Sequence, residues 1–333
     1  MRTSGFLPSI LLDRARNVGL LVTLILCLLF ISFFSPKYLS IDNLLVVALQ
    51  VSFVGIAALG TAYLIIGGSV DLSIGSQYAL CAVASAMLAR SMPSGLAWFM
   101  GIVLGAFLGL INGLLVWRIS ISPIIITLGT LTIFRGIALR ITNGFGVRGV
   151  PKSFAAFGQA RWLNIPTPVL VFALLALFAR SILQYTRQGR HLFAFGGNRE
   201  AAEAAGIDGK RMLLLCFAAN GALVGTTAVL AASRFGTAAP TFGAGFELDV
   251  IAAVILGGVV FTGGEGSIAG VILAVILLGV INSGLISIGI DPHYAQMVKG
   301  LALVIAVTLD QITQEQQERH RRRMASLERA TSA

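Results

Sequence analysis

Long apolar stretches, broken at intervals by short polar, glycine and proline clusters, dominate the chain. Ten of them occupy residues 18–34, 42–66, 75–91, 94–117, 122–141, 166–186, 212–232, 247–262, 267–288 and 295–309. Most are close to the roughly 20 residues that a helix needs to cross about 30 Å of hydrocarbon, and none alternates as a membrane strand does. The pattern predicts an all-α integral membrane protein of about ten transmembrane helices. The first stretch follows Arg2, Arg14 and Arg16 and has the outline of a signal sequence. The following SPKYLSIDN lacks a small-x-small cleavage pattern, so residues 18–34 are read as an uncleaved first helix.

Composition agrees: 56% of residues are hydrophobic, 11% are charged and the mean hydropathy is +0.90, outside the range of soluble domains. The 38 glycines also suit lipid, where close helix approach offsets their entropic cost. The net charge of +10 is not spread over a polar, aromatic-bearing surface, which argues against nucleic acid. Instead, residues 1–17, 118–121, 187–211 and 310–333 hold 14 of the 24 Lys and Arg, which assigns these segments and both termini to the cytoplasm. Arg140, Arg148, Lys152 and Arg161 lie in or beside the loop 142–165 assigned to the outside, so the asymmetry is not clean. The chain thus divides into an N-terminal cytoplasmic segment (1–17), a membrane domain (18–309) and a basic cytoplasmic tail (310–333).

Cys27, Cys81 and Cys216 all sit in apolar runs, and His191, His293 and His320 show no ligand spacing; neither a disulfide nor a metal site is expected. LGLINGLLVWRISISP, ending at Pro123, parallels LGVINSGLISIGIDP, ending at Pro292. The two stretches lie five spans apart and so run in opposite directions, as in an inverted repeat of two five-helix halves.

Residues 187–212, RQGRHLFAFGGNREAAEAAGIDGKRM, form a long polar excursion between apolar runs. Asn198 can cap a helix with Glu200 in its first turn, and Gly206 can close it in the left-handed conformation. Between the caps, Ala201, Ala202, Ala204 and Ala205 would let another protein surface approach closely. A helix of about two turns is marginal alone. The competing reading is an amphipathic loop helix resting on the bilayer.

Elsewhere, Gly67 and Gly68 should break the second span, and Asp71 should face protein, water or the membrane interface because a carboxylate in lipid costs roughly 2.5 to 3.5 kcal/mol. Ser73 or Ser76 could cap the third span, with Gly75 in the same turn. This segment reads equally as a structural turn and as part of a gate. Gly101, Gly105, Gly109 and Gly113 recur every four residues and line one face of the fourth span, a helix-packing groove. Asn112, Asn220 and Asn282, also inside spans, are expected to bond neighbouring helices.

Glu200, Ala201, Ala202 and, after three further residues, Gly206 resemble the first half of the EAA signature of ABC importer permeases; the second half, an isoleucine and Leu-Pro further on, is absent. That departure, together with GGSVDLSIGS (67–76), TLGTLTIFRGIALRITNG (127–144) and ELDVIAAVILGGVVFTGGEGSIAG (247–270), is similar to the ribose-type, or monosaccharide, branch of these permeases. The resemblance spans about residues 42–309. It implies a bacterial inner-membrane half-permease of about ten helices that pairs with a second copy or a paralogue. It further implies a cytoplasmic ATPase docked on 187–211, with ATP and Mg held there and no cofactor on this chain, and a periplasmic sugar-binding protein above. No G-x-x-x-x-G-K-[ST] phosphate loop occurs, so nucleotide hydrolysis belongs to another chain. Ribose, another pentose, a hexose, a polyol, autoinducer-2 and, more distantly, branched-chain amino acids all fit. The rival class is an ion-coupled secondary transporter, against which Asp71, Glu247, Asp249 and Asp291 fall at span ends. An intramembrane enzyme would need a nucleophile, base or metal constellation that the spans lack.

Overall fold

A computed structural model describes residues 6–119 and 121–291 together with Tyr294, Met297 and Gly300, and for residues 6–15 the backbone alone. Twelve helices and one two-residue hairpin make up the described fold. In chain order they are α1 (Phe6–Phe34), α2 (Ile41–Ile66), α3 (Ile74–Leu88), α4 (Ser94–Ile119), α5 (Pro123–Thr142), α6 (Lys152–Gln159), β1 (Arg161–Trp162), β2 (Ile165–Pro166), α7 (Thr167–Tyr185), α8 (Arg187–Gly197), α9 (Arg199–Ala204), α10 (Gly209–Phe235), α11 (Phe246–Leu256) and α12 (Ile268–Ser287). Seven of these, α1, α2, α4, α5, α7, α10 and α12, are long and apolar enough to cross a membrane.

Local chemistry sets the helix ends. Ser40 caps α2 and Asp208 caps α10 through side-chain oxygens that accept from the third residue on, while Pro123 opens α5 where no N–H is needed. Gly236, at φ +64°, stops α10. At the end of α2, Gly68 takes φ +76°, and the N–H groups of Gly68 and Ser69 return to the carbonyls of Ile65 and Leu64. This is the paired-bond ending that a left-handed glycine permits.

Helix α10 lies at the centre, against α2, α3, α4 and α6; α12 packs on α1, α2 and α11, α5 on α3, and α7 on α2 and α8. The tightest contact is that of α4 with α10. A Cβ at Gly105 would overlap the Gly221 carbonyl, one at Gly109 the Phe217 carbonyl, and one at Gly101 would reach to 2.5 Å from Val229. Gly221 and Gly225 answer from α10, so the two backbones touch along three turns.

One end of the bundle carries α8 and α9 beside the end of α4, where the Arg199 guanidinium lies 5.0 Å from the Trp117 ring centre. At the opposite end the loop between α5 and α7 folds over α10. There Ser233 accepts from the Gly158 N–H at 2.8 Å, Ser94 meets Ser153 at 2.8 Å, and Val147 bridges to Ala238.

Two of the predicted spans are shorter than their apolar runs. The run 75–91 yields the 15 residues of α3, about 22 Å, and 247–262 yields the 11 residues of α11, about 16 Å. Neither crosses about 30 Å of hydrocarbon alone. Helix α11 stops because Gly258 turns left-handed at φ +80° and Gly257 lies against the α12 backbone, its would-be Cβ 2.5 Å from the Val271 Cα. Hydropathy does not register that stop, because GGVVFT continues apolar. The run 295–309, the tail 310–333 and residues 1–5 fall outside the described residues, Met297 and Gly300 excepted.

Candidate functional site

The polar excursion between α7 and α10 folds as two short helices. Helix α8 was not predicted: RQGRHLFAFGG has two glycines at its end and little propensity, and it is held by Leu192 and Phe195, both buried. Asn198 leaves α8 in extended geometry, and its Oδ1 accepts from the Ala201 N–H at 2.9 Å, capping α9. Glu200 occupies the first turn. Gly206, at φ +89°, closes the helix: its N–H reaches the Glu203 carbonyl and that of Ile207 the Ala202 carbonyl, both at 3.0 Å. Arg199 and Glu203 pair at 3.0 Å on the outer surface.

The four alanines do not share one face. Ala201, Ala204 and Ala205 are exposed, but Ala202 is turned inward and buried. The expectation that Ala202 offers itself to another protein is therefore corrected. A six-residue helix has too few turns for its inner face to be read from spacing.

Behind α9 three paired-glycine segments meet. Gly67–Gly68 ends α2, Gly196–Gly197 ends α8, and Gly263–Gly264 lies in the turn between α11 and α12. The Gly264 N–H donates to the Ile66 carbonyl at 2.8 Å, satisfying an acceptor that the end of α2 leaves open. A Cβ on Gly196 would overlap that carbonyl and come within 2.7 Å of the Gly264 nitrogen; one on Gly263 would lie 2.9 Å from the Gly68 Cα. Helix α9 thus starts three positions after a glycine, Gly196, whose backbone lies against the end of α2.

Beyond the break, Asp71 is fully buried within protein. Its carboxylate accepts from the Ser73 N–H (2.8 Å) and hydroxyl (2.7 Å), from Gln77 (2.8 Å) and, at 3.2 Å to each oxygen, from Asn112 of α4. Ser73 stands at the N-cap of α3, but its hydroxyl serves Asp71 instead of the helix, and Ser76 donates to the Ser73 carbonyl. A buried carboxylate held by several donors at a helix N-terminus is well compensated. Asn112 also donates to the Ser73 hydroxyl at 2.8 Å, and Asn220 of α10 accepts from Thr61 of α2 at 3.2 Å. Gly75 has no room for a side chain, since a Cβ would overlap the Gly243 carbonyl and the Glu247 carboxylate.

The structure therefore brings Gly67, Gly68, Asp71, Ser73 and Gly75 into one continuous turn, and sets Asn198, Glu200, Ala201 and Gly206 on a separate surface helix connected to it through Gly196. The glycines Gly101, Gly105, Gly109 and Gly113 form part of the packed interior. Gly196, Gly197, Gly263 and Gly264 were missed, although each pair is a visible Gly-Gly like Gly67–Gly68.

The family described as branched-chain amino acid transport system / permease component matches residues 43–307. The ribose import permease protein of Bacillus subtilis is 36% identical over 301 residues, covering 89% of this chain and 92% of that protein. The galactose/methyl galactoside import permease protein of Escherichia coli K12 is 36% identical over 321 residues, 90% of this chain and 96% of its own. The D-allose transport system permease protein of the same strain is 35% identical over 281 residues, 84% of this chain and 86% of its own. No solved structure matches the chain.

Proposed function

The chain belongs to the family of branched-chain amino acid transport system permease components, and from that premise we propose that it is the membrane-spanning subunit of an ATP-driven importer that passes a monosaccharide across the bacterial inner membrane. It is a multi-pass membrane protein and not an enzyme. The sugar names of its relatives favour a monosaccharide over an amino acid. The ATPase is a separate cytoplasmic subunit that binds the ATP and Mg, a periplasmic binding protein delivers the sugar, and a second permease copy or a paralogue completes the path.

In this reading the end of the bundle with α8 and α9 is cytoplasmic and the end with α6 is periplasmic, in line with the basic residues at 118–121 and 187–211. The fold is ten helices in two inverted halves of five. Support for this comes from α3 and α11: each is short, each is third in its half, and their first turns meet at Gly75 and Glu247.

The observation that carries the proposal is α9, exposed, capped at both ends and tied through Gly196 to the end of α2. A partner that moves α9 moves the break before Asp71. The test is Ala204→Arg, an exposed position, in the transporter reconstituted with its ATPase and binding protein in proteoliposomes. The variant should insert normally and lose co-purification of the ATPase and ATP-driven sugar uptake. Undiminished docking and uptake would leave α9 a surface loop and advance an ion-coupled transporter.

A further inference from the structure

Arg135 lies twelve residues into α5, about 18 Å from its start and well inside the membrane. Its Nη1 donates to the carbonyls of Pro240 (2.5 Å) and Phe242 (2.7 Å), and its Nη2 to that of Gly75 (3.2 Å). A guanidinium carries five N–H groups, so two remain beyond these three bonds. Arg135 thereby ties the loop between α10 and α11 to the first turn of α3. Glu247, in the first turn of α11, presses on Gly75 and attracts Arg135. Its Oε2 is hidden from solvent and has no hydrogen-bond partner among the described residues.

Spare donors and a spare acceptor thus flank one glycine. Beside them Tyr78 stacks on Phe246 (ring centres 5.0 Å apart, planes at 19°) and on Phe242 (6.2 Å, 27°). The outer side of this cluster is open: Thr241 and Ala244 are exposed and Glu247 and Asp249 half-buried. Such a polar face at membrane depth does not sit against lipid; it turns to water or to protein.

Aromatic faces cover the C–H surfaces of a pyranose or furanose ring, and an arginine with a carboxylate grips paired hydroxyls by donating and accepting at once. We infer that the cluster around Arg135, Glu247 and Tyr78 is a sugar-contacting station on the translocation path that helps to choose which sugar passes. Arg135 holds it shut by occupying the Gly75, Pro240 and Phe242 carbonyls. Opening exchanges these bonds for sugar hydroxyls. This rests on the transporter reading above.

The experiment measures uptake of labelled D-ribose, D-allose and D-galactose by the complete transporter in proteoliposomes, for the parent, Glu247→Gln and Arg135→Lys. The variants should keep the ATPase bound and its hydrolysis responsive to the loaded binding protein. Uptake should fall at least 10-fold for one sugar and at least 3-fold less for another. Equal loss for every sugar the parent imports would reduce the cluster to packing, and unchanged uptake would place it off the path. Should both variants fail to assemble, Thr241→Cys in a cysteine-free chain answers the same question. Its reaction with a charged methanethiosulfonate should slow at least 5-fold when sugar is being transported, and a rate indifferent to sugar overturns the station. A parent that imports neither these three nor any other pentose or hexose removes the transporter reading itself and this site with it.

Discussion

Along α4 and α10 glycines meet in the middle of two long helices, whereas at the ends of α2 and α8 they meet in turns. In the first contact every backbone group near the crossing is already bonded within its own helix, and glycine serves only to bring two finished rods together. In the second the contact supplies a missing bond, Gly264 N–H to Ile66 carbonyl, and Gly68, Gly263 and Gly264 are left-handed. A rod contact has one good arrangement. A turn contact of glycines, free of side chains, can be remade with small changes in φ and ψ. Close packing alone therefore does not tell a fixed region from a movable one; what the touching backbones are bonded to does.

Substitutions can break this distinction. The largest effect is expected of Gly109→Leu, which drives a side chain into the Phe217 carbonyl and separates α4 from α10. About 3 kcal/mol or more of stability should go, read as loss of accumulated protein and of detergent-resistant monodispersity. A variant that accumulates and transports normally would show that the rods are as adjustable as the turns. Asp71→Asn comes next, because the new amide sets N–H groups against the donors of Ser73, Gln77 or Asn112. Thermal unfolding should report a loss of about 1 to 3 kcal/mol. Uptake lost with unchanged stability would move Asp71 to the movable side.

Gly196→Ala sharpens the contrast. Its methyl has to displace the Ile66 carbonyl and the Gly264 nitrogen, so protein yield and ATPase binding should hold while uptake per molecule falls about 10-fold, roughly 1.4 kcal/mol of coupling. Equal loss of yield and uptake would make this junction another rigid contact. Smallest is Gly113→Ala, where the nearest neighbours are side-chain atoms of Phe217 and Leu214 at 3.0 and 3.2 Å. The Leu214 side chain can turn aside and the Phe217 Cβ has to give by only a few tenths of an ångström, so about 1 kcal/mol or less should be seen in unfolding.

Much of this was legible in the sequence because it is local. Apolar runs of about 20 residues announced the seven long helices, and Asn198 and Gly206 announced the caps of α9, since a cap is decided within four residues. Asp71 could be told to avoid lipid from its charge alone. Its partner Asn112 could not be named, being 41 positions away on another helix. The stop of α11 depends on how closely α12 approaches Gly257, and the inward turn of Ala202 on what lies beneath α9; neither leaves a trace in hydropathy. Arg135 was readable as an intramembrane charge, the kind that signals a functional site by default, but its partners are backbone carbonyls, which no residue pattern reveals.

Helix α3 also bears on how the chain is made. At about 22 Å it is too short to hold itself across a bilayer, and it arrives led by a carboxylate costing roughly 2.5 to 3.5 kcal/mol in lipid. During synthesis Asp71 emerges before Asn112, its one hydrogen-bond partner outside residues 73–77 among the described residues. Helix α3 is therefore expected to wait at the protein-lined exit of the insertion machinery until α4 is complete and to enter the membrane with it as a hairpin. A chain truncated after residue 93 and released from the ribosome should leave α3 uninserted, and one truncated after residue 150 and released should not.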